Sequence, residues 1–134
     1  MILGLGCDIV QVSRFMKSRD FLLRFVKRCF TSKEIDELGK KNIYAEEKGL
    51  ILAVATRFAA KEAVSKALGS GFRSGITLKD VEIIHDELGC PKVNLYGKAL
   101  ARAFYVSQNQ NFNMHLTLSN EQEYVNAVAV MESI

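Results

Sequence analysis

Residues 45–68 carry a helical pattern that cannot sit on a protein surface. Residues 50–60, Leu-Ile-Leu-Ala-Val-Ala-Thr-Arg-Phe-Ala-Ala, are apolar on nearly every side apart from Thr56 and Arg57. A helix that is hydrophobic all round belongs in an interior. At 1.5 Å per residue the stretch would run ~36 Å, the width of a small domain. Its longest uninterrupted apolar run, residues 50–55, is far short of the ~20 residues that cross a bilayer. The interior in question is therefore the protein's own. A chain of 134 residues can cover such a rod only by folding around it, which predicts a single domain over residues 1–134. Gly69 follows as the C′ residue that stops the helix.

The flanking segments supply what covers it. Residues 2–7 read as a short strand, with Gly4 and Gly6 loosening it. Residues 10–26 read as helical with a break near residues 18–20. Thr31-Ser32-Lys33-Glu34 is a capping box that opens a short helix to Leu38, ended by Gly39. Beyond residue 80 the period changes. Val81, Ile83 and Ile84 lie in a strand, residues 88–91 turn, and residues 92–96 return as its hairpin partner. Residues 97–107 form an alanine-rich helix. Met114, Leu116 and Leu118 alternate with His115, Thr117 and Ser119, the mark of a strand with one apolar and one polar face. Residues 124–131 are apolar on both faces apart from Asn126, which predicts a covered strand, with the hairpin at residues 120–123. The expected class is α+β, an antiparallel sheet packed around one long central helix.

Composition excludes some functions. With 49% hydrophobic and 25% charged residues, the chain is an ordinary globular sequence, neither disordered nor fibrous. No basic segment precedes an apolar stretch, so no secretory signal is expected. Cys7, Cys29 and Cys90 are odd in number and outside any C-x-x-C spacing, which points to free thiols in a reducing cytoplasm.

The net charge of +3 is unevenly placed. Residues 1–67 hold 13 Lys/Arg against 8 Asp/Glu, a net of +5, whereas residues 68–134 hold 5 against 7, a net of −2. Arg14, Lys17, Arg19, Arg24, Lys27 and Arg28 face only Asp20 within residues 13–28, and make a basic helical surface. Its partner is a nucleic acid, a membrane surface or an acidic protein. The absence of an RNP-like motif or a wider basic field weighs against nucleic acid.

The chemistry-bearing stretch is Arg57 to Gly71. Glu62 and Lys66 are four residues apart and share a helix face, with Arg57 and Lys61 flanking it. A carboxylate that can hold Mg²⁺ beside cations that can hold phosphate fits a phosphorylated substrate. The same spacing also describes a plain helix salt bridge, worth about 0.2–0.5 kcal/mol. A second carboxylate, Asp8, sits between Cys7 and Ile9 at the end of a strand expected to be buried. There it is costly to desolvate unless paired or metal-bound, unless it caps a following helix.

Four blocks in order resemble one family. Gly6-Cys7-Asp8-Ile9-Val10-Gln11-Val12-Ser13-Arg14 looks like the opening G-x-D-[IV]-x-x-[IV]-x-R of the holo-acyl-carrier-protein synthases, the small 4′-phosphopantetheinyl transferases. Arg57-Phe58-Ala59-Ala60-Lys61-Glu62-Ala63, with Lys66 and Gly69-Ser70-Gly71, resembles their second signature. Asp86-Glu87-Leu88-Gly89-Cys90-Pro91-Lys92 resembles a third, and residues 113–119 a fourth. The resemblance spans essentially the whole chain.

It implies a reaction in which a serine of an acidic acyl carrier protein attacks the β-phosphate of coenzyme A and adenosine 3′,5′-bisphosphate leaves. The nucleophile belongs to the partner, so the chain needs no Ser/His/Asp arrangement of its own. Asp8 and Glu62 would hold Mg²⁺, Lys66 would stabilise charge on the phosphates, and Glu62 or a metal-bound water would be the base. Arg57, Lys61, Lys66, Gly89, Pro91, Lys92 and His115 would contact CoA. Arg14, Arg24 and Arg28 would meet the carrier protein. A homotrimer with active sites between subunits is implied too. The family pattern often has histidine where this chain has Asn120. Two rival readings are a Mg²⁺-dependent hydrolase of a small nucleotide and a non-catalytic binder of acidic proteins.

Overall fold

The computed structural model describes residues 1–134. Strand β1 (Ile2–Gln11) leads through a 3-10 turn (Val12–Phe15) into helices α1 (Arg19–Cys29) and α2 (Ser32–Lys40). The long helix α3 (Glu47–Ala67) follows. A hairpin of β2 (Val81–His85) and β3 (Pro91–Leu95), helix α4 (Gly97–Val106), and strands β4 (Phe112–Asn120) and β5 (Tyr124–Ser133) complete the chain. Strands β1, β5 and β4 form one antiparallel sheet in that order; β2 and β3 form the other. No helix is long and apolar enough to cross a membrane. The α+β class and the single long helix agree with the sequence reading.

The helix α3 is the core. Leu50, Val54, Ala55, Ala59, Ala60, Ala63 and Val64 are fully buried. Its alanines keep the helix thin, and the strand beneath is thinner still. A Cβ on Gly4 or Gly6 would overlap the carbonyl oxygens of Ala67 and Ala63. These glycines therefore do not loosen β1; they let α3 rest directly on its backbone. Beside β1 in the same sheet, Val125, Ala127, Ala129 and Met131 of β5 are fully buried on the face beneath α3, while Val128 and Val130 on the other face are only partly so. Strand β5 is thus covered on one face within this chain, not on both.

Three boundaries move. Strand β1 runs on to Gln11 because β5 stays paired with it, Gln11 opposite Tyr124 and Asp8 opposite Ala127. Only the short turn at Val12–Phe15 remains of the helix expected there, before Ser18 caps α1 by accepting from the Phe21 amide. Asp8 therefore lies inside a strand and caps nothing. Gly39 stays inside α2, and the left-handed position falls to Asn42, with φ 54°. The capping box of Thr31 and Glu34 forms as expected, and Gly69 takes φ +76° just past α3.

Candidate active site

Strand β1 and the last two turns of α3 bring Asp8, Glu62 and Lys66 together. The Lys66 ammonium donates to Asp8 Oδ1 at 2.9 Å and to the Cys7 carbonyl at 2.9 Å. Lys66 remains about half exposed, while the Asp8 side chain keeps only 15% of its surface. The close seating of α3 on Gly4 and Gly6 makes this contact possible, since it brings a helix face against the strand edge. The hydrogen bond from Lys66 to Asp8 raises the lysine's pKa. Burial, and then the nearby charge of Asp8, push the Glu62 carboxyl up; Lys66 and Arg14 pull against them. Two carboxylates and two cations thus share one site, with Asp8 answered by Lys66 and Glu62 pulled between Asp8 and the cations.

Arg14 belongs to this site as well as to the basic surface. Its guanidinium stacks 5.0 Å from the ring centroid of Phe58, one turn before Glu62, and its charge is felt by Glu62. Phe58 in turn packs edge-on against Phe15 and Phe25. Arg24 pairs with Asp20 at 3.2 Å in open solvent, an arrangement worth about 0–1 kcal/mol. Arg28 has no carboxylate within 4 Å.

Two expected phosphate contacts are corrected. Lys61 is fully buried and gives its donors to Glu34 Oε1 at 2.8 Å, the Leu78 carbonyl at 2.8 Å and the Val81 carbonyl at 2.6 Å. An ammonium has three N–H groups, so none remains for a phosphate. Glu34 is the capping-box glutamate; its second oxygen accepts from the Ile83 amide. Arg57 is buried against Glu37, which also accepts from the His85 backbone at 2.7 Å and meets His85 Nδ1 at 3.0 Å. A 100° turn per residue separates this face from that of Glu62 and Lys66. The pairs of Lys61 with Glu34 and Arg57 with Glu37 tie α2, α3 and β2 together. Glu37 and His85, and the pairing of Glu34 with Lys61, went unnoticed in the sequence because these contacts are long-range.

The remaining CoA candidates gather elsewhere. Gly89 makes the β2–β3 turn at φ +81°, and Asp86 Oδ1 accepts from the amides of Leu88 and Cys90. Lys92 lies 3.9 Å from Asp86. A cavity of about 760 Å³ between β3 and β4 is lined by Lys92, Asn94, Tyr96 and Asn113. His115 stands two residues on, with Nε2 2.8 Å from Glu132 Oε1. It is paired with Val130 on the outer face of the sheet, whereas Asp8 is paired with Ala127 on the face beneath α3. One chain does not unite His115 with Asp8. Another cleft, about 690 Å³, is lined by Val12, Met16, Ile51, Leu52 and Asn120. Ile51 shares the helix face of Glu62, about 16 Å toward the N-terminus.

The family model for the 4′-phosphopantetheinyl transferase superfamily matches residues 4–129. The chain belongs to this superfamily. It is 43% identical over 134 residues to the holo-[acyl-carrier-protein] synthase of Clostridium beijerinckii, covering 100% of both chains. Among solved structures, it is similar to an acyl carrier protein synthase of Plasmodium yoelii with ADP bound, at TM-score 0.83 and 34% identity, over 98% of this chain and 95% of that one. It is also similar to a Bacillus anthracis holo-(acyl-carrier-protein) synthase in complex with CoA (3′,5′-ADP), at TM-score 0.76 and 30% identity, over 100% and 99%. In the superfamily's terms, the Asp8, Glu62 and Lys66 cluster joins the first two sequence blocks. The hairpin loop and His115 carry the other two. The hydrolase and the binding-module readings find no support among these relatives.

Proposed function

We propose that this chain transfers the 4′-phosphopantetheine arm of coenzyme A to a serine of an apo acyl carrier protein, releasing adenosine 3′,5′-bisphosphate. The observation that carries the reading is the meeting of Asp8, Glu62 and Lys66 across β1 and α3, in a chain whose relatives are synthases of this kind. Transfer needs a neutralised pyrophosphate and an aligned serine.

Asp8 and Glu62 would hold Mg²⁺. No third His, Cys, Asp or Glu joins them, and that fits the ion, which is usually held by one or two carboxylates with waters and substrate phosphates. When bound, Mg²⁺ would supply charge neutralisation at the pyrophosphate. Lys66 would contribute a half-exposed ammonium for the charge that grows as the phosphoanhydride breaks. Glu62, kept easier to protonate by burial and by Asp8, is suited to take the serine proton.

Adenosine and its 3′-phosphate would meet Gly89, Pro91, Lys92 and His115. Since one chain holds these apart from Asp8, the reading includes a homotrimer in which His115 of the partner subunit reaches the CoA held by Asp8 and Glu62. The outer face, where Leu5 and Ile9 are exposed and Val128 and Val130 only partly buried, supports such packing. Arg14, Arg24 and Arg28 would take the acidic carrier protein. A single domain over residues 1–134, a cytoplasmic setting and a supply role for fatty acid synthesis complete the reading. The test is mass spectrometry of an apo acyl carrier protein incubated with this chain, CoA and Mg²⁺. A gain of one phosphopantetheine on the carrier is expected; an unmodified carrier with CoA hydrolysed would restore the hydrolase.

A further inference from the structure

Asp8 already has a cation, and that cation comes from its own chain. Lys66 Nζ engages Oδ1 at 2.9 Å and is steadied by the Cys7 carbonyl at the same distance. Only 15% of the Asp8 side chain is open and Oδ1 is already taken, so a second cation would have Oδ2 alone to approach. A dication arriving alone would have to share Asp8 with the ammonium, and the two positive charges would repel at contact range. Glu62, one turn back on α3, offers a carboxylate by itself.

A pyrophosphate changes this balance. Lys66 is flexible and about half exposed, and an ammonium is a compact point charge that can swing to a neighbouring phosphate. Once it does so, both Asp8 oxygens are open while the anion itself supplies further ligands. We propose that Lys66 is a placeholder cation on Asp8, so that the divalent metal and CoA enter this site as one unit and the free metal is kept out. The proposal rests on the assignment of Asp8 and Glu62 as the metal-binding pair. It adds that the true substrate is the metal–CoA complex, and that Lys66 sets the coupling between its two parts. By linkage, CoA must tighten the metal by the same factor as the metal tightens CoA.

The test measures Mn²⁺ affinity by electron paramagnetic resonance, with and without CoA, after correction for Mn²⁺ bound to CoA in solution. The wild type should bind Mn²⁺ weakly alone and at least 100-fold more tightly with CoA. Lys66→Met should bind Mn²⁺ alone at least 10-fold more tightly than wild type, and its coupling to CoA should shrink by a similar factor. Lys66→Arg keeps a cation on Asp8 and should stay as weak as wild type without CoA. The proposal is overturned if Lys66→Met binds free Mn²⁺ no better than wild type, or if Lys66→Arg matches Lys66→Met. Asp8→Asn runs in parallel and should lose Mn²⁺ in every condition. If it binds Mn²⁺ as wild type does, the metal assignment itself fails and takes the proposal with it. If Asp8→Asn loses Mn²⁺ but Lys66→Met gains nothing, the assignment stands and only the placeholder role is lost.

Discussion

Lys61 and Lys66 are five residues apart on one helix and have opposite roles. Lys61 is fully buried, and all three of its donors are spent on Glu34 and two carbonyls. Lys66 is half exposed and leans on one carboxylate that another cation could claim. Burial drives the Lys61 pKa down against the pull of Glu34, whereas the hydrogen bond to Asp8 raises that of Lys66. The sequence block Arg57-Phe58-Ala59-Ala60-Lys61-Glu62 therefore contains two machines. One face, with Arg57 and Lys61, holds α2 and the β2–β3 hairpin onto α3. The other carries Glu62 and Lys66 beside Asp8, the cluster proposed to meet the substrate. A compact motif can be specific because it serves both structure and chemistry, and residue type does not say which.

The largest effect expected is on the chemical face. Asp8→Ala should reduce transfer by on the order of 10³-fold or more, the scale of several kcal/mol of transition-state stabilisation. Its melting temperature should change little, because Asp8 lies in a strand and caps no helix. Single-turnover transfer and thermal melting on the same preparation check both parts. Near-wild-type rates at ordinary Mg²⁺ concentration would remove Asp8 from the metal pair.

The second prediction sets the two lysines directly against each other. Lys61→Ala leaves Glu34 buried and without its cation, a change that costs about 3–5 kcal/mol. Denaturant unfolding should show that loss, while the protein that remains folded keeps a near-normal KM for CoA. Lys66→Ala should do the reverse, with stability near wild type, kcat down about 100-fold, and KM for CoA at saturating metal raised by no more than the ~10-fold lost in coupling. If the two variants behave alike, the division of α3 into a structural and a chemical face is wrong.

How much of this division was legible beforehand follows from range. Patterns local to the chain were readable: the all-apolar helix, the capping box at Thr31, the alternation in β4, and the stop at Gly69. So were Asp8, Glu62 and Lys66, because a carboxylate in an apolar strand and an E-x-x-x-K pair are odd or suggestive on their own. The fate of Arg57 and Lys61 was not, since Glu37 and Glu34 lie 20 and 27 residues away and nothing local distinguishes a buried cation from a free one. The role of Gly4 and Gly6 was hidden for the same reason: the carbonyls that exclude a Cβ belong to α3. The Glu132 partner of His115 is an intermediate case. Period-two counting along β5 places it on the outer face, but not which residue it meets.

A third, smaller effect concerns the basic surface. Arg14 stacks on Phe58 beside Glu62, while Arg24 sits in open solvent on α1. Arg14→Glu with Arg24→Glu should raise KM for the carrier about 10-fold and leave CoA affinity nearly unchanged. Wild-type association should also slow as salt rises past ~0.15 M, where the Debye length is about 8 Å. Parallel loss of CoA binding would move Arg14 from the docking surface into the phosphate site.

The smallest effect is in the acid stability of the structural face. Burial pushes the Glu82 carboxyl up, but hydrogen bonds from Thr31, Asn94 and Tyr96, and the charge of Lys33, outweigh it and hold the pKa below its ordinary value. Burial also raises Glu37, and the His85 hydrogen bonds and the Arg57 charge again win. A carboxyl whose folded pKa is depressed adds stability above its unfolded value, ~4.3. That contribution fades as pH falls through the lower folded value, because protons then bind the unfolded chain first. Unfolding free energy should therefore decline from pH 5 downward, and Glu82→Gln should start lower and decline less steeply over that window. The chemical face predicts the opposite slope. Glu62 has a raised folded pKa, so its ionisation opposes folding as pH rises through the unfolded value, and Glu62→Gln should gain stability at neutral pH. Denaturant titrations of both variants between pH 3.5 and 7, ranges set around the ~4.3 reference, would show two glutamates with slopes of opposite sign. Slopes of one sign would mean that burial and hydrogen bonding do not divide the molecule in the way the two lysines suggest.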